Sequence, residues 1–135
     1  MSHKLFLDTN ILLYALDRAD PLKQARAREV MRMGGDSLVV STQVMQEFFV
    51  AATRKLHVAP QAAKRMIQSW QVFEVVQITQ DRILEAVDIH ILNDVSFWDA
   101  LIVAAANAAR CTVLVTEDLN PGQVINGVRV ENPFL

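Results

Sequence analysis

Short apolar runs alternate along this chain with stretches that carry helix-start signals. The first run, Lys4 to Asp8, is hydrophobic on both faces, as expected for a strand buried within a parallel sheet. Several later runs of similar length follow, each separated from the next by a helical pattern. This alternation predicts an α/β protein in which helices cover both faces of a central parallel sheet of about five strands.

Caps and prolines mark where the predicted helices begin. Asp20-Pro21 starts a helix that ends at Gly34-Gly35, and Pro60, Thr79 and Ser96 mark three more starts. The expected strands are 4–8, 37–40, 74–78, 112–116 and 128–130. The expected helices are 11–16, 21–34, 42–56, 60–71, 79 to about 92 and 96 to about 109.

Composition limits the class of protein. A chain of 135 residues that is 52% hydrophobic is long enough for one core, so we expect a single domain, 1–135, and no disorder. One cysteine, Cys111, excludes an internal disulfide framework and a cysteine-based zinc site. The N-terminal apolar run is too short for a signal sequence, and no run approaches the roughly 18 residues of a membrane span. We therefore expect a cytoplasmic protein without a membrane partner.

Four carboxylates border the most apolar stretches. Asp8 closes the first apolar run and Asp118 follows a later one, whereas Glu47 interrupts an apolar helix and Asp99 opens another. Buried acids are costly unless they are paired, protonated or bound to a cation. Because Lys4 is the only basic residue beside any of these runs, a shared metal ion is the simplest explanation.

The predicted layout places these four acids in one region. Asp8 and Asp118 follow the carboxyl ends of two parallel strands, where open α/β sheets form their binding crevice. Glu47 and Asp99 lie on helix faces that can reach the same crevice. Oxygen ligands without histidine or cysteine suit Mg²⁺ or Mn²⁺, which proteins use chiefly to bind phosphate and activate water.

Each acid also has a purely structural interpretation. Asp99 completes a Ser-x-x-Asp capping box, and Asp8 could cap the helix that follows it. Glu47 could face solvent, and Asp118 could simply stabilise a turn. These four alternatives are independent of one another, so their joint occurrence is much less probable than any one of them.

Charge is unevenly divided between the two halves of the chain. Residues 1–65 carry ten Lys or Arg against six Asp or Glu, whereas residues 66–135 carry three against nine. A basic rim beside an acidic centre would suit a phosphate backbone, although solvated helix faces would give the same pattern. The candidate phosphate contacts are Lys23, Arg26, Arg28, Arg32, Arg54 and Lys55.

Four motifs carry a resemblance to a known family. The segments LFLDTNILLYALD, STQVMQEFF, SFWDALIVAAA and VLVTEDL hold the four acids in this order. In sequence and spacing they resemble the PIN-domain nucleases, and within these the VapC toxins of type II toxin–antitoxin pairs. The resemblance covers nearly the whole chain.

The resemblance implies a PIN-like fold and a metal-dependent endoribonuclease. Asp8, Glu47 and Asp99 match the family's metal-binding acids, and Asp118 matches a fourth acid that completes the cluster. Glu117 directly precedes Asp118, so the fourth ligand could be either of them. The implied reaction is hydrolysis of an RNA phosphodiester with Mg²⁺ or Mn²⁺, in which the aspartates hold the metal and the glutamate positions metal or water.

Two polar residues and several partners follow from the same resemblance. Asn10 and Thr116 match positions that support the site. The implied partners are an RNA substrate, a VapB-like antitoxin that lays a peptide across the crevice, and a second copy in a homodimer. Helices around 45–52 and 66–73 could supply the antitoxin groove, and Trp70, Phe73 and Trp98 could be contact aromatics, although core packing would explain these residues equally well.

Two other functions compete with the nuclease. A phospho-acceptor receiver domain needs an acidic pair after the first strand and a lysine after the last core strand, and this chain has neither. A non-catalytic PIN-like module that binds RNA or protein would leave a similar sequence and stays open. The three histidines, His3, His57 and His90, are scattered, so no histidine-based general acid or base is expected.

Overall fold

A computed structural model describes residues 3–135 and builds them around one sheet. The strands are β1 (Leu5–Leu7), β2 (Leu38–Ser41), β3 (Glu74–Val76), β4 (Val113–Val115), β5 (Val124–Ile125) and β6 (Val128–Glu131). The α-helices are α1 (Thr9–Tyr14), α2 (Pro21–Gly34), α3 (Thr42–Arg54), α4 (Pro60–Ser69), α5 (Gln80–Asn93) and α6 (Phe97–Ala108). Two single 3₁₀ turns lie at Gly35–Ser37 and Trp70–Val72.

The sheet has the strand order β3-β2-β1-β4-β6-β5. The first five strands of this order are parallel, and β1 lies at their centre, with Leu5 aligned to Leu38 of β2 and to Val113 of β4. The helices flank the sheet, so the predicted α/β fold with a parallel core of five strands is confirmed.

The sixth strand was not expected. β5 is two residues long and pairs antiparallel with β6 through a tight turn at Asn126-Gly127, where both residues have positive φ angles of 49° and 82°. Asn-Gly is the preferred pair for such a hairpin turn, so the signal was present in the sequence. A two-residue strand, however, leaves no alternating pattern to detect.

The predicted caps occur where they were expected. The Asp20 carboxylate accepts a hydrogen bond from the backbone of Lys23 at the start of α2, and the Ser96 hydroxyl accepts one from the Asp99 N–H at the start of α6. Helix α3 ends at Arg54 rather than 56, and α4 ends at Ser69 and continues as a 3₁₀ turn. These differences lie at helix ends, which fray, and the bounds of the expected strands also shift by one or two residues.

Helix α6 is the core helix of the protein. All seven residues from Ala100 to Ala106 are buried, and the helix packs against α5 and against strands β2, β4 and β6. Its small alanines permit close approach to the sheet. Because the helix is enclosed in this way, the position of its first turn, which carries Asp99, is fixed by the core.

A helix that spans a membrane needs about 20 predominantly apolar residues. Among residues 3–135, no single helix is both long and apolar enough to cross a bilayer. Helices α5 and α6 meet this requirement only when they are taken together, and they are bent by 117° at the break between them.

Candidate active site

The four acids singled out in the sequence line one cavity of about 220 Å³. Asp8 directly follows β1, and Asp118 lies in the loop after the neighbouring parallel strand β4. Glu47 projects from α3, and Asp99 lies in the first turn of α6. Two adjacent strand ends and two helices thus bring together side chains that are up to 110 positions apart in the chain.

Asp8 is the most deeply buried of these acids, with 6% of its surface exposed. One carboxylate oxygen accepts a hydrogen bond of 2.7 Å from the backbone N–H of Thr9, and the other accepts one of 2.8 Å from the hydroxyl of Thr116. Asp8 therefore caps helix α1, as its structural interpretation proposed, and lines the acidic cavity as well.

Thr116 connects the ends of the two central strands. Its fully buried hydroxyl donates to Asp8 and accepts from the Asp118 backbone N–H at 3.0 Å and from the Asn10 amide at 3.3 Å. The same Asn10 amide donates to the Asp118 carboxylate at 3.0 Å. The two residues implied as supporting positions thus hold two of the four acids.

The other two acids are held close to helix starts. The Thr9 hydroxyl, in the first turn of α1, donates to the Glu47 carboxylate at 2.8 Å. At the start of α6 the cap uses the backbone N–H of Asp99, so the Asp99 carboxylate remains on the wall of the cavity. The Ser96 half of the predicted capping box is therefore observed, whereas a bond from the Ser96 backbone N–H to the Asp99 carboxylate is not among the hydrogen bonds of residues 3–135.

Burial and like charge raise the pKa of two of the acids. Desolvation raises the pKa of Asp8 from 3.8 to about 7, and the hydrogen bonds from Thr116 and Thr9 only partly oppose it. The negative charges of Asp118 and Glu47 raise this pKa further.

Asp99 is affected in the same direction. Burial raises the pKa of Asp99, the Ser96 side chain lowers it, and the charge of Asp118 raises it again. Among residues 3–135, no Lys or Arg lines the cavity. The four acids therefore face one another without a protein cation to offset their charge.

The donor chemistry of the cavity fits a hard divalent cation. Besides the carboxylates, the Asn10 Oδ1 atom is buried and has no hydrogen-bond partner within the described part of the chain. Oxygen acceptors of this kind are the ligands that Mg²⁺ and Mn²⁺ prefer. Within residues 3–135, no three acid, histidine or cysteine side chains are already placed to hold one ion.

The geometry separates the two candidates for the fourth acid. Glu117 accepts hydrogen bonds from Lys23 at 2.8 Å and from the Tyr14 hydroxyl at 2.5 Å, and it is not among the residues that line the acid cavity. Burial alone would raise the pKa of Glu117, but these two hydrogen bonds outweigh it and hold that pKa below its ordinary value. Asp118, by contrast, lines the cavity, so the arrangement favours Asp118.

Three of the candidate phosphate contacts on α2 are engaged within the protein. Lys23 pairs with Glu117, and the Arg28 side chain donates to a backbone carbonyl. Arg26 pairs with Glu29 and also donates to a backbone carbonyl near the C-terminus. The structure does not bring these three basic residues to the acid cavity.

The remaining candidates are solvent-exposed and divide by location. Arg54 and Lys55 stand at the end of α3 and line a groove with Glu47, which also borders the acid cavity. Arg32 is exposed in the last turn of α2 and lines neither cavity. Arg54 and Lys55 therefore share a groove with one of the four acids.

Two polar residues of the cavity, Thr9 and Gln43, were not predicted from the sequence. Thr9 binds Glu47, and Gln43 lies in the cavity one helical turn before Glu47. A signal existed for both, because Thr9 directly follows Asp8 and Gln43 precedes Glu47 by four positions.

The three aromatic candidates occupy different environments. Trp70 is 8% exposed and packs edge-to-face against Phe48 in the core, and Phe73 is partly buried against the core. Trp98 is 64% exposed and lines the acid cavity. Only Trp98 of the three is therefore open to a binding partner.

Comparison with known proteins identifies relatives. The model of the PIN domain family matches residues 5–124. A toxin–antitoxin complex from Klebsiella pneumoniae contains a chain that is 25% identical, with a TM-score of 0.72 and coverage of 96% of this chain and 97% of that one. A VapC toxin of Mycobacterium tuberculosis, described as cleaving the sarcin-ricin loop, is 19% identical, with a TM-score of 0.71 and coverage of 82% and 87%.

A third solved structure shows the same fold. DNA-bound VapBC from Salmonella typhimurium is 20% identical, with a TM-score of 0.71 and coverage of 97% of this chain and 98% of that one. No curated protein gave a significant match.

The first prediction concerns the buried charge of Asp8. Because its pKa is about 7 in the folded protein and 3.8 ordinarily, the folded state keeps a proton that the unfolded state releases between these pH values. This proton's stabilising contribution is complete below about pH 4 and is lost as the pH rises through about 7. In EDTA, wild type and Asp8→Asn should melt alike near about pH 3, whereas the variant should be more stable near about pH 8, by at most on the order of 4 kcal/mol.

Circular dichroism melting curves across this pH range measure the difference, and Asp20→Ala is the matched control. Asp20 only caps α2, so its loss should cost roughly 0.5–2 kcal/mol at both pH values. If Asp8→Asn is the less stable protein at the higher pH, the capping role of Asp8 outweighs its charge.

The second prediction tests which acid joins the cluster. In the same melting assay at about pH 8, saturating Mn²⁺ should stabilise wild type and Glu117→Gln alike, by roughly 2.7 kcal/mol at one hundred times the dissociation constant. Asp118→Asn should lose most of this gain, because Asp118 lines the cavity and Glu117 does not. The reverse order of the two variants would assign the fourth position to Glu117.

Proposed function

Because this chain belongs to the PIN domain family, we propose that it is a VapC-type toxin, an endoribonuclease that hydrolyses RNA phosphodiester bonds with Mg²⁺ or Mn²⁺. The observation that carries the proposal is the convergence of four carboxylates from two strand ends and two helices on one cavity, which no Lys or Arg of residues 3–135 lines. The likeness to a toxin described as cleaving the sarcin-ricin loop supports RNA as the substrate. The proposed unit of function is the single domain 1–135, acting in the cytoplasm, where RNA is available.

The proposed metal ligands are Asp8, Asp99 and Asp118, and Glu47 either joins them or binds the attacking water. When bound, the cation supplies the positive charge that attracts the substrate phosphate and offsets charge developing during hydrolysis. The protein holds the ligands in place through the hydroxyl of Thr116, which binds Asp8 and the backbone of Asp118. No side chain needs to form a covalent intermediate.

Glu47 is suited to orient the attacking water. The Thr9 hydroxyl fixes Glu47 Oε1, while Oε2 has no protein hydrogen-bond partner among residues 3–135. A carboxylate with one oxygen anchored and the other open can accept a hydrogen bond from water. This bond directs a lone pair of the water oxygen toward the phosphate. Thr9 therefore acts on the reaction only through the orientation of Glu47.

Substrate approach needs positive charge near the acids. The cavity by itself repels a phosphate backbone, and Arg54 and Lys55 are exposed along the adjoining groove. We assign these two residues to the phosphates that flank the cleavage position. Lys23, Arg26 and Arg28 are held by internal contacts and are assigned to structure instead.

A VapB-like antitoxin is the proposed inhibitor. The groove beside the acid cavity has a volume of about 470 Å³ and is lined along one face of α3 that includes Glu47, Val50 and Arg54. Val50 is exposed there and Ala51 also lines the groove, which suits the apolar side of a peptide. The solved relatives from Klebsiella pneumoniae and Salmonella typhimurium are toxin–antitoxin complexes, which supports such a partner.

A homodimer is proposed from the outer face of α5. Ile83, Val87 and Ile91 are exposed at intervals of four residues, so they form one stripe along the helix. Leu84 and Leu92 extend this apolar surface. A continuous exposed patch of this kind is typical of an interface between protein chains.

The third prediction tests cleavage directly. Purified protein without antitoxin should cleave structured RNA in Mg²⁺ or Mn²⁺ and not in EDTA. Asp8→Asn and Asp99→Asn should each lower the rate by about a hundredfold or more, because each removes a charge from the proposed metal site. Gel analysis of end-labelled RNA measures the rate, and circular dichroism checks that the variants are folded.

Asp88→Asn is the matched control for this assay. It makes the same chemical change at an exposed acid on α5, outside the cavity, and should cleave like wild type. Undiminished cleavage by both cavity variants would contradict the catalytic assignment. RNA binding without any cleavage by wild type would support the non-catalytic module.

The fourth prediction concerns Arg54 and Lys55. Reversing both charges to Glu should weaken RNA binding for all sequences and flatten the log–log salt dependence by about one for each phosphate that the protein no longer neutralises. Filter binding with the Asp99→Asn protein at several salt concentrations measures this slope without cleavage. The exposed pair Lys64 and Arg65 on α4, reversed in the same way, is the control and should change the slope less.

A further inference from the structure

Gln43 carries an unused hydrogen-bond acceptor in the acid cavity. Only 5% of its surface is exposed, and its Nε2 donates to the backbone carbonyl of Trp98 at 3.2 Å. This bond fixes the amide plane and leaves the buried Oε1 without a partner within residues 3–135. A buried acceptor that stays unpaired is costly, so it is a position where a ligand donor would be favoured.

Trp98 stands beside this acceptor and is open to solvent. Its side chain is 64% exposed, it lines the same cavity, and it directly precedes Asp99. Phe97 packs edge-to-face against its indole, with ring centroids 5.4 Å apart, so one side of the ring is supported. A large braced aromatic surface next to a polar cavity is therefore available for stacking.

We propose that Trp98 and Gln43 form a nucleotide subsite next to the acid cluster. In this subsite a base of the bound RNA stacks on the Trp98 indole, and the 2′-hydroxyl of the same nucleotide donates to Gln43 Oε1. The proposal rests on the proposed ribonuclease function and deepens it, because it names the groups that hold the substrate beside the acids and distinguish RNA from DNA.

Charge considerations favour stacking at this place. The carboxylates repel the phosphate backbone, and no Lys or Arg of the described chain lines the cavity to counter them. Stacking of an uncharged base is not opposed by this field and is worth roughly 1–3 kcal/mol per base in proteins that bind single strands. Trp98 can thus anchor a nucleotide where an ionic contact would have to compete with four acids.

The 2′-hydroxyl is the donor that best suits the unpaired acceptor. It is present on every ribonucleotide whatever the base, and it is the group by which proteins tell RNA from DNA. A site built to accept a hydrogen bond also disfavours a ligand that lacks the donor, because the acceptor is then left buried and unpaired. Gln43 is accordingly a specificity residue rather than a catalytic one.

Tryptophan fluorescence tests the stacking half of the proposal. The chain has two tryptophans, and Trp70 is buried in the core whereas Trp98 is exposed. In the Asp99→Asn protein, which should bind without cleaving, a six-nucleotide oligoadenylate should quench the emission. The quenching should persist when Trp70→Phe is added and disappear when Trp98→Phe is added.

Affinity for the same oligoadenylate provides a second readout. Trp98→Ala should weaken binding by about tenfold, and Trp98→Phe should recover most of the loss, because a smaller ring still stacks. Val72→Ala removes an exposed apolar side chain away from the cavity and should leave binding unchanged. Equal affinities for the Trp98→Ala and unsubstituted proteins would overturn the stacking assignment.

A thermodynamic cycle tests the role of Gln43. It combines the Gln43→Met substitution in the protein with removal of the 2′-hydroxyl from the oligonucleotide. The protein that retains Gln43 should bind oligoadenylate about threefold to tenfold more tightly than oligodeoxyadenylate, as expected for one hydrogen bond. Gln43→Met keeps the length of the side chain but removes the acceptor, so this preference should fall to near unity. A preference that survives in Gln43→Met would show that another group reads the ribose and would overturn this half of the proposal.

Failure of the subsite is distinguishable from failure of the proposed function. If wild type cleaves RNA while neither Trp98 emission nor the Gln43 cycle responds, the subsite is wrong and the ribonuclease stands. If Trp98 responds as expected while wild type does not cleave, the subsite holds in a binding protein. If the emission of Trp98 changes with protein concentration in the absence of RNA, a second copy covers the ring and the stacking proposal is overturned.

Discussion

The hydrogen bond between the buried carboxylate of Asp8 and the buried hydroxyl of Thr116 is the contact on which the cavity depends. It joins the carboxyl ends of two neighbouring parallel strands, and both of its partners make further hydrogen bonds. Asp8 also caps helix α1, and Thr116 also receives the backbone N–H of Asp118. Removal of either partner would leave an unpaired polar group where water cannot replace it.

The same geometry makes the cavity electrostatically unfavourable as long as no cation is present. Burial raises the pKa of Asp8 to about 7, and the neighbouring acids add to the effect. Lys23 does not line the cavity and is paired with Glu117. Of the adjacent residues Glu117 and Asp118, only Asp118 lines the cavity, while Glu117 is bound by Lys23 and Tyr14.

Much of the fold could be predicted because its signals are local. Proline, serine, threonine and aspartate mark the helix starts, and apolar runs mark the five parallel strands, which pair in one sheet. The hairpin strand β5 was missed because two residues carry no periodic pattern. For Asp8 the sequence posed capping and a place in the acidic site as alternatives, but the structure shows that it caps α1 and also lines the cavity, since a cap uses some of the hydrogen-bonding groups of a residue and leaves others free. At the start of α6 the Ser96 hydroxyl is the cap, and the Asp99 carboxylate lines the cavity.

The sequence by itself determined the six helices and the five parallel strands, the order of the strand-end acids, and the edge of the sheet at which those acids collect. These outcomes follow from periodicity and from the rule that parallel strands end on the same side. Only the tertiary structure decided that Glu117 pairs with Lys23, that Arg54 and Lys55 are the basic candidates beside the acids, and that an acceptor of Gln43 stays unpaired within residues 3–135. Each of these depends on distances of a few ångströms between residues far apart in the chain, which packing sets and local patterns do not encode.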